Sequence, residues 1–265
     1  MMTRSGVNRC FLKTNGYMNI EDSMAQRLET IRRRIGQACE RAGRSADEVT
    51  LLSVSKTFGE AAIREAVALG LTRFGENKAQ EIRQKSAPLA DCGIEWVMIG
   101  HLQTNKAKDV ARLAAEVQSV DRLELAQALD RRLQAEGRRI RVLVQLKTST
   151  EPSKYGLAPE ELPDFLRTLQ AYDTLDVQGL MTLAINSTDE ASVRHCFRGL
   201  REWCERARQE TGLALPRLSM GMSGDFETAI AEGSTEVRIG TAIFGSRPYG
   251  DAYYWPENGP VSTSS

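Results

Sequence analysis

The chain has little histidine, little cysteine and no net charge, and each shortage closes off a class of function. Two histidines, His101 and His195, are too few and too far apart for a His-based metal site. His195 and Cys196 are adjacent in a helical stretch, so they point in different directions. The five cysteines (Cys10, Cys39, Cys92, Cys196, Cys204) form no CxxC pair. An odd, scattered set reads as reduced thiols in a cytoplasmic protein. Lys plus Arg equals Asp plus Glu, at 35 each, so no net field draws the chain to nucleic acid or to a membrane surface. The run Arg32-Arg33-Arg34 reads as a solvated helix face. No apolar run approaches the roughly 18 residues needed to span a bilayer. Nor does a Gly-x-Gly-x-x-Gly follow the first strand, which disfavours an open doubly wound sheet.

What is present is a long alternation of helical and extended patterns. Residues 1–19 read as a disordered polar leader and residues 256–265 as a flexible tail, leaving 20–255 as one domain. Met24, Leu28, Ile31, Ile35 and Ala38 fall at helical spacing, and Gly43 ends that helix. Short β-rich runs follow at Val49–Ser55, Arg73–Gly75, Glu95–Ile99, Val117–Val120, Arg141–Leu146, Asp176–Met181, Arg217–Met220 and Glu236–Ile239. Helical stretches separate them, among them Asn77–Pro88, Thr104–Ala115, Asp189–Gln209 and Gly224–Ala231. Eight strands in strict alternation with helices predict an α/β fold, a single (β/α)8 barrel of the TIM type with an extra N-terminal helix.

In such a barrel, chemistry gathers at the C-terminal ends of the strands. Lys56 follows the first strand, Glu76 and Asn77 the second, His101 the third, Lys147 the fifth, and Met181 and Thr182 the sixth. Ser219 to Ser223 follow the seventh, and Gly240-Thr241 the eighth. A lysine desolvated at a strand end has a lowered pKa and offers a free amine to an aldehyde. A snorkelling rim lysine is the plain alternative. Gly240-Thr241 offers backbone N–H groups and a hydroxyl to an anion, at a place where barrels often bind phosphate. Arg238 lies two residues earlier, on the same face; there it meets either a ligand ring or a barrel acid such as Glu236. An amine and a phosphate cradle in one barrel mouth predict an aldehyde-phosphate ligand, with pyridoxal 5′-phosphate the obvious candidate.

Several motifs carry a resemblance. They are Ser53-Val54-Ser55-Lys56-Thr57, Phe74-Gly75-Glu76-Asn77-Lys78-Ala79-Gln80-Glu81, Ile99-Gly100-His101-Leu102-Gln103-Thr104-Asn105-Lys106 and Ser153-Lys154-Tyr155-Gly156. Gly179-Leu180-Met181-Thr182, Leu218-Ser219-Met220-Gly221-Met222-Ser223 and Arg238-Ile239-Gly240-Thr241-Ala242-Ile243-Phe244-Gly245 complete the set. In this order they resemble the pyridoxal phosphate homeostasis proteins, which are similar to the N-terminal barrel domain of alanine racemase. The resemblance implies that Lys56 forms the internal aldimine, that Asn77 lies beside the ring and that Arg238 faces the ring nitrogen. It implies further that Ser223, Gly240 and Thr241 hold the phosphate, with Ser219 and Met220 lining the pocket. One departure is Lys147, which stands where the family commonly has a small amide and could supply a second amine near the site.

The resemblance also implies a non-enzymatic carrier that holds pyridoxal phosphate and supplies it to apo-enzymes. The alternative is an amino-acid racemase, which needs a second base opposite the lysine. The chain ends 16 residues after Tyr249, so no second domain is expected to bring one; Tyr155, Tyr249, Tyr253 and Tyr254 are the local tyrosines. A Schiff-base aldolase or isomerase, with His101 or Glu76 as its acid–base partner, is a third reading. Lys78, Lys85, Lys106 and Lys154 are further amines, expected to be ordinary surface lysines. The expected assembly is a monomer or weak homodimer.

Overall fold

A computed structural model describes residues 22–149, 151 and 154–245. The leader, the tail, Tyr249, Tyr253 and Tyr254 lie outside the described residues. Eight parallel strands close into a barrel: β1 (Thr50–Val54), β2 (Arg73–Glu76), β3 (Glu95–Met98), β4 (Glu116–Val120), β5 (Ile140–Gln145), β6 (Leu175–Met181), β7 (Arg217–Ser219) and β8 (Glu236–Ile239). Closure is made by β8 against β1, with Leu51 opposite Val237 and Leu52 opposite Arg238. Every expected strand forms, because each run is short, rich in β-branched or apolar residues and bounded by a helical segment.

Helix α1 (Met24–Arg41) opens the described chain. Ser23 caps it reciprocally: its hydroxyl accepts from the Gln26 N–H, and the Gln26 side chain accepts from the Ser23 N–H at 2.8 Å. Its buried face is the expected one, Met24, Leu28, Ile31, Ile35 and Ala38, with Cys39 added. The outer ring continues with α2 (Glu60–Ala68), α3 (Ala79–Ser86), α4 (Ala107–Leu113), α5 (Leu123–Glu136), α6 (Leu162–Leu169), α7 (Glu190–Thr211), α8 (Phe226–Ala231) and α9 (Thr241–Phe244). α1 packs on α8 and α9. Arg34 pairs with Glu227 through two 2.9 Å contacts, and Arg27 Nε donates to the Ile243 carbonyl at 2.7 Å.

At the barrel mouth, three helices begin later than their patterns predict. Asn77 and Lys78 precede α3, a 3-10 turn (Thr104–Lys106) precedes α4, and Gly224 precedes α8. Asn77, Lys78, Lys106 and Gly224 all line the cavity described below, so the first turns are diverted to the barrel mouth.

The N-terminal end of the barrel is filled by charge rather than by branched apolar side chains. Arg73 reaches Glu236 at 2.6 Å and Glu116 at 2.9 Å, and Arg217 reaches the same two acids at 2.6 and 2.7 Å. Both carboxylates are fully buried. Burial alone would raise the Glu236 pKa, but Arg217 and Arg73 hold it below the ordinary range. Arg141 lies 3.6 Å from Glu116 and Glu95 lies 3.6 Å from Arg73, so three acids and three guanidiniums leave this plug neutral, which buried charge requires. Close strand packing above it needs Gly179: its φ is +156°, and a Cβ there would stand 1.9 Å from the Arg217 carbonyl oxygen.

Candidate functional site

The C-terminal ends of the strands surround a cavity of about 750 Å³. Val54 and Lys56 enter it from the end of β1, Asn77 to Gln80 from the β2 loop, and Met98 to Gln103 with Lys106 from β3 onward. Gln145, Lys154, Tyr155 and Leu183 form another wall, and Met222 to Gly224, Arg238, Gly240 and Thr241 close the circle. Six of the expected site residues therefore meet: Lys56, Asn77, Ser223, Arg238, Gly240 and Thr241.

Met220 does not join them. It is fully buried in the core, where its N–H donates to the Glu236 carbonyl at 3.1 Å, and Met222 lines the cavity instead. Gly221 (φ +95°) turns the chain between the two. Ser219 likewise sits one layer below, its hydroxyl accepting from Arg238 at 2.8 Å and lying 2.8 Å from Gln118 Oε1. Lys147 is not among the lining residues, and Gln145 takes the lining place, donating to the Tyr155 carbonyl at 2.9 Å. Of the other lysines, Lys78, Lys106 and Lys154 line the cavity and Lys85 does not. Glu76, considered as an acid–base partner, is fully buried away from the cavity.

Arg238 is the deepest charge of the site. Its Nη2 donates to the Thr182 carbonyl at 2.7 Å and its Nη1 to Ser219. Glu236 is engaged by Arg73 and Arg217, so Arg238 meets oxygen atoms of neutral groups. Burial lowers its pKa to about 10, which leaves it a cation at neutral pH. The loop below Ser223 is pinned by Asp225, whose carboxylate accepts from the Met222 N–H at 2.5 Å; burial raises the Asp225 pKa.

Close backbone contact shapes the opposite wall. A Cβ on Gly100 would stand 2.2 Å from the Asn77 carbonyl oxygen, so only glycine lets the β2 and β3 loops meet there. His101 and Tyr155 stack across the mouth with ring centroids 3.9 Å apart and planes at 19°. Burial, then the nearby Arg122, push the His101 pKa below its usual value, which favours a neutral imidazole.

Every charged residue lining the cavity is a cation (Lys56, Lys78, Lys106, Lys154 and Arg238), and among the described residues no Asp or Glu lines it. Such a lining raises the local concentration of anions. The arrangement suits an anionic ligand with a carbonyl group: an amine, hydroxyls, a Gly-Thr turn and an arginine line one cavity.

The family model "Alanine racemase, N-terminal domain" matches residues 26–248. A pyridoxal phosphate homeostasis protein of Pseudomonas aeruginosa is 42% identical over 86% of this chain and 97% of its own. The protein of the same description from Aquifex aeolicus is 41% identical over 84% and 98%. The chain belongs to the pyridoxal phosphate homeostasis protein family. PipY of Synechococcus elongatus, solved with PLP bound, superposes with a TM-score of 0.75 at 35% identity, over 84% of this chain and all of that one. Alanine racemase of Corynebacterium glutamicum, at 21% identity and a TM-score of 0.61, shares the barrel fold. Among the described residues no helix is long and apolar enough to cross a membrane.

Proposed function

We propose that this family member binds pyridoxal 5′-phosphate in the cavity, holds it reversibly as a Schiff base on Lys56 and hands it to apo-enzymes without turnover of its own. The observation that carries the reading is that every charge lining the cavity around Lys56, Ser223, Gly240 and Thr241 is positive. The Lys56 Nζ attacks the aldehyde carbon, the C=N bond forms, and the aldehyde oxygen leaves as water. Ser223, Gly240 and Thr241 take the phosphate through hydroxyls and backbone N–H groups, and Asn77 flanks the ring. Arg238 has no acceptor atom to offer, so a pyridine nitrogen facing it stays unprotonated. That makes a poor electron sink and restrains chemistry at an amino acid's α-carbon. The bound molecule supplies an electrophilic carbon; the protein supplies the amine, the anion cradle and the restraint.

One observation favours a second reading, a racemase. Tyr155 lines the same cavity as Lys56 and supplies a phenol there.

Purified protein mixed with pyridoxal phosphate, reduced with borohydride and mapped by mass spectrometry should carry the label on Lys56, and Lys56→Ala should lose it. The same sample with alanine in deuterated water should show no enzyme-dependent α-proton exchange. Label elsewhere removes the Lys56 assignment. Exchange at catalytic rates establishes the racemase.

A further inference from the structure

Immediately behind the Lys56 turn, outside the cavity, lies a part-buried charge cluster that the proposed binding chemistry does not use. Lys85 on α3 directs its ammonium at three oxygens: the Ser55 carbonyl at 3.0 Å, Glu76 Oε1 at 2.8 Å and Glu81 Oε1 at 3.4 Å. Those are all the donors an ammonium has. The Ser55 hydroxyl donates to Glu76 Oε1 at 2.6 Å, and the Thr57 N–H donates to Glu81 Oε1 at 2.8 Å. The residues on both sides of Lys56 are thus tied to one cation. Neither Glu76 nor Lys85 lines the cavity.

Two features argue that the cluster serves the turn. Thr57 has φ +72°, an uncommon conformation for a β-branched residue, and such strain persists only where surrounding contacts enforce it. The Glu81–Thr57 bond is one of those contacts. Burying a carboxylate and an ammonium is also unfavourable against an apolar pair of the same shape, so stability alone gives no reason to keep them. Glu76 Oε2 illustrates the point, being buried without a hydrogen-bond partner among the described residues.

We propose that Lys85, with Glu76 and Glu81, positions the Lys56 amine for attack on the aldehyde, gripping the Ser55-Lys56-Thr57 turn from behind without touching the ligand. This rests on the assignment of Lys56 as the amine that captures the aldehyde. Lys85 joins the two carboxylates to the Ser55 carbonyl, Glu81 enforces the Thr57 conformation, and Glu76 leads directly into Asn77 at the cavity wall. Capture depends on the aim of one nitrogen, whereas binding without capture does not.

The test separates aim from binding. Full-length wild type, Lys85→Met, Lys85→Arg and the charge-balanced double variant Glu76→Gln with Lys85→Met are compared; the double variant guards against misfolding from an unpaired buried acid. Stopped-flow absorbance follows capture of pyridoxal phosphate. Equilibrium titration with pyridoxine 5′-phosphate, which has an alcohol in place of the aldehyde, measures binding that cannot become covalent. Capture by Lys85→Met and by the double variant should slow by about tenfold or more, with alcohol affinity unchanged and partial recovery in Lys85→Arg. Unchanged capture, or capture and alcohol affinity falling together, overturns the positioning role. If borohydride fixes no label on wild-type Lys56, the underlying assignment fails instead, and the two failures are distinguishable.

Discussion

Phe58 and Phe244 stack with ring centroids 4.9 Å apart and planes at 26°, joining the two ends of the site. Phe58 follows Lys56 by two residues, and Phe244 ends the short helix opened by Thr241. The stack therefore ties the chain just after Lys56 to the helix that follows the Gly-Thr turn. It spans the β1–β8 seam, where the first and last strands of the barrel pair.

Breaking that staple should be felt at both ends. A double-mutant cycle of Phe58→Leu and Phe244→Leu should give a coupling of about 0.5–1.5 kcal/mol in urea unfolding. Pyridoxal phosphate affinity should fall in either single variant. Additive stability effects would show that the rings merely sit beside each other.

The Gly100–Asn77 contact makes a sharper prediction. Gly100→Ala inserts a methyl 2.2 Å from a backbone oxygen, so the two loops must part. A stability loss of about 1–3 kcal/mol is expected, together with weaker ligand binding through displaced Asn77. Gly199→Ala, in the middle of α7 with nothing within 4 Å of the new methyl, should instead stabilise by about 0.5–1 kcal/mol. Thermal melts with and without pyridoxal phosphate compare the two.

The plug at the N-terminal end should be costly to break from one side. Glu116→Leu leaves Arg217 with Glu236 alone, and Arg73 with Glu236 and the more exposed Glu95 at 3.6 Å. A loss of about 3–5 kcal/mol is expected, read by urea denaturation. A variant as stable as wild type would mean that solvent reaches the guanidiniums freely.

Glu76 predicts a pH dependence. Burial, the largest effect, outweighs Lys85 and raises its pKa from 4.5 to about 7. Between those values the folded state binds the proton and the unfolded state has lost it, so this group's contribution to stability falls as pH rises from about 4.5 to about 7. Above about 7 the contribution is flat. The stability difference between wild type and Glu76→Gln should therefore decline across that window and level off. A difference independent of pH would place the Glu76 pKa in the ordinary carboxylate range.

Much of the site was legible because barrel topology converts sequence position into spatial position. Lys56, Asn77, Ser223, Arg238, Gly240 and Thr241 each follow or end a strand, and strand C-termini in a closed barrel meet at one mouth. Met220, which the resemblance puts at the pocket, is buried in the core: Gly221 turns the loop so that Met222 lines the cavity. Lys147 and Gln145 differ in the same way at the end of β5, where period-two alternation stops with the strand. The plug has a trace in the sequence. Arg73, Glu95, Glu116, Arg217 and Glu236 each open a strand, a row of charges of both signs that only barrel closure brings together.

Local pattern alone decided the elements, their order and the wall from which each site residue comes, because hydrophobic period, helix caps and strand length are properties of neighbouring residues. The tertiary structure alone decided partners across the barrel. It took Glu236 away from Arg238, withdrew Lys85 and Glu76 from the cavity into a cluster behind Lys56, and left a lining whose charges are all positive. Such pairings depend on distances between strands far apart in the chain. A buried charge takes the partner that geometry brings within hydrogen-bonding reach, whatever their separation in sequence.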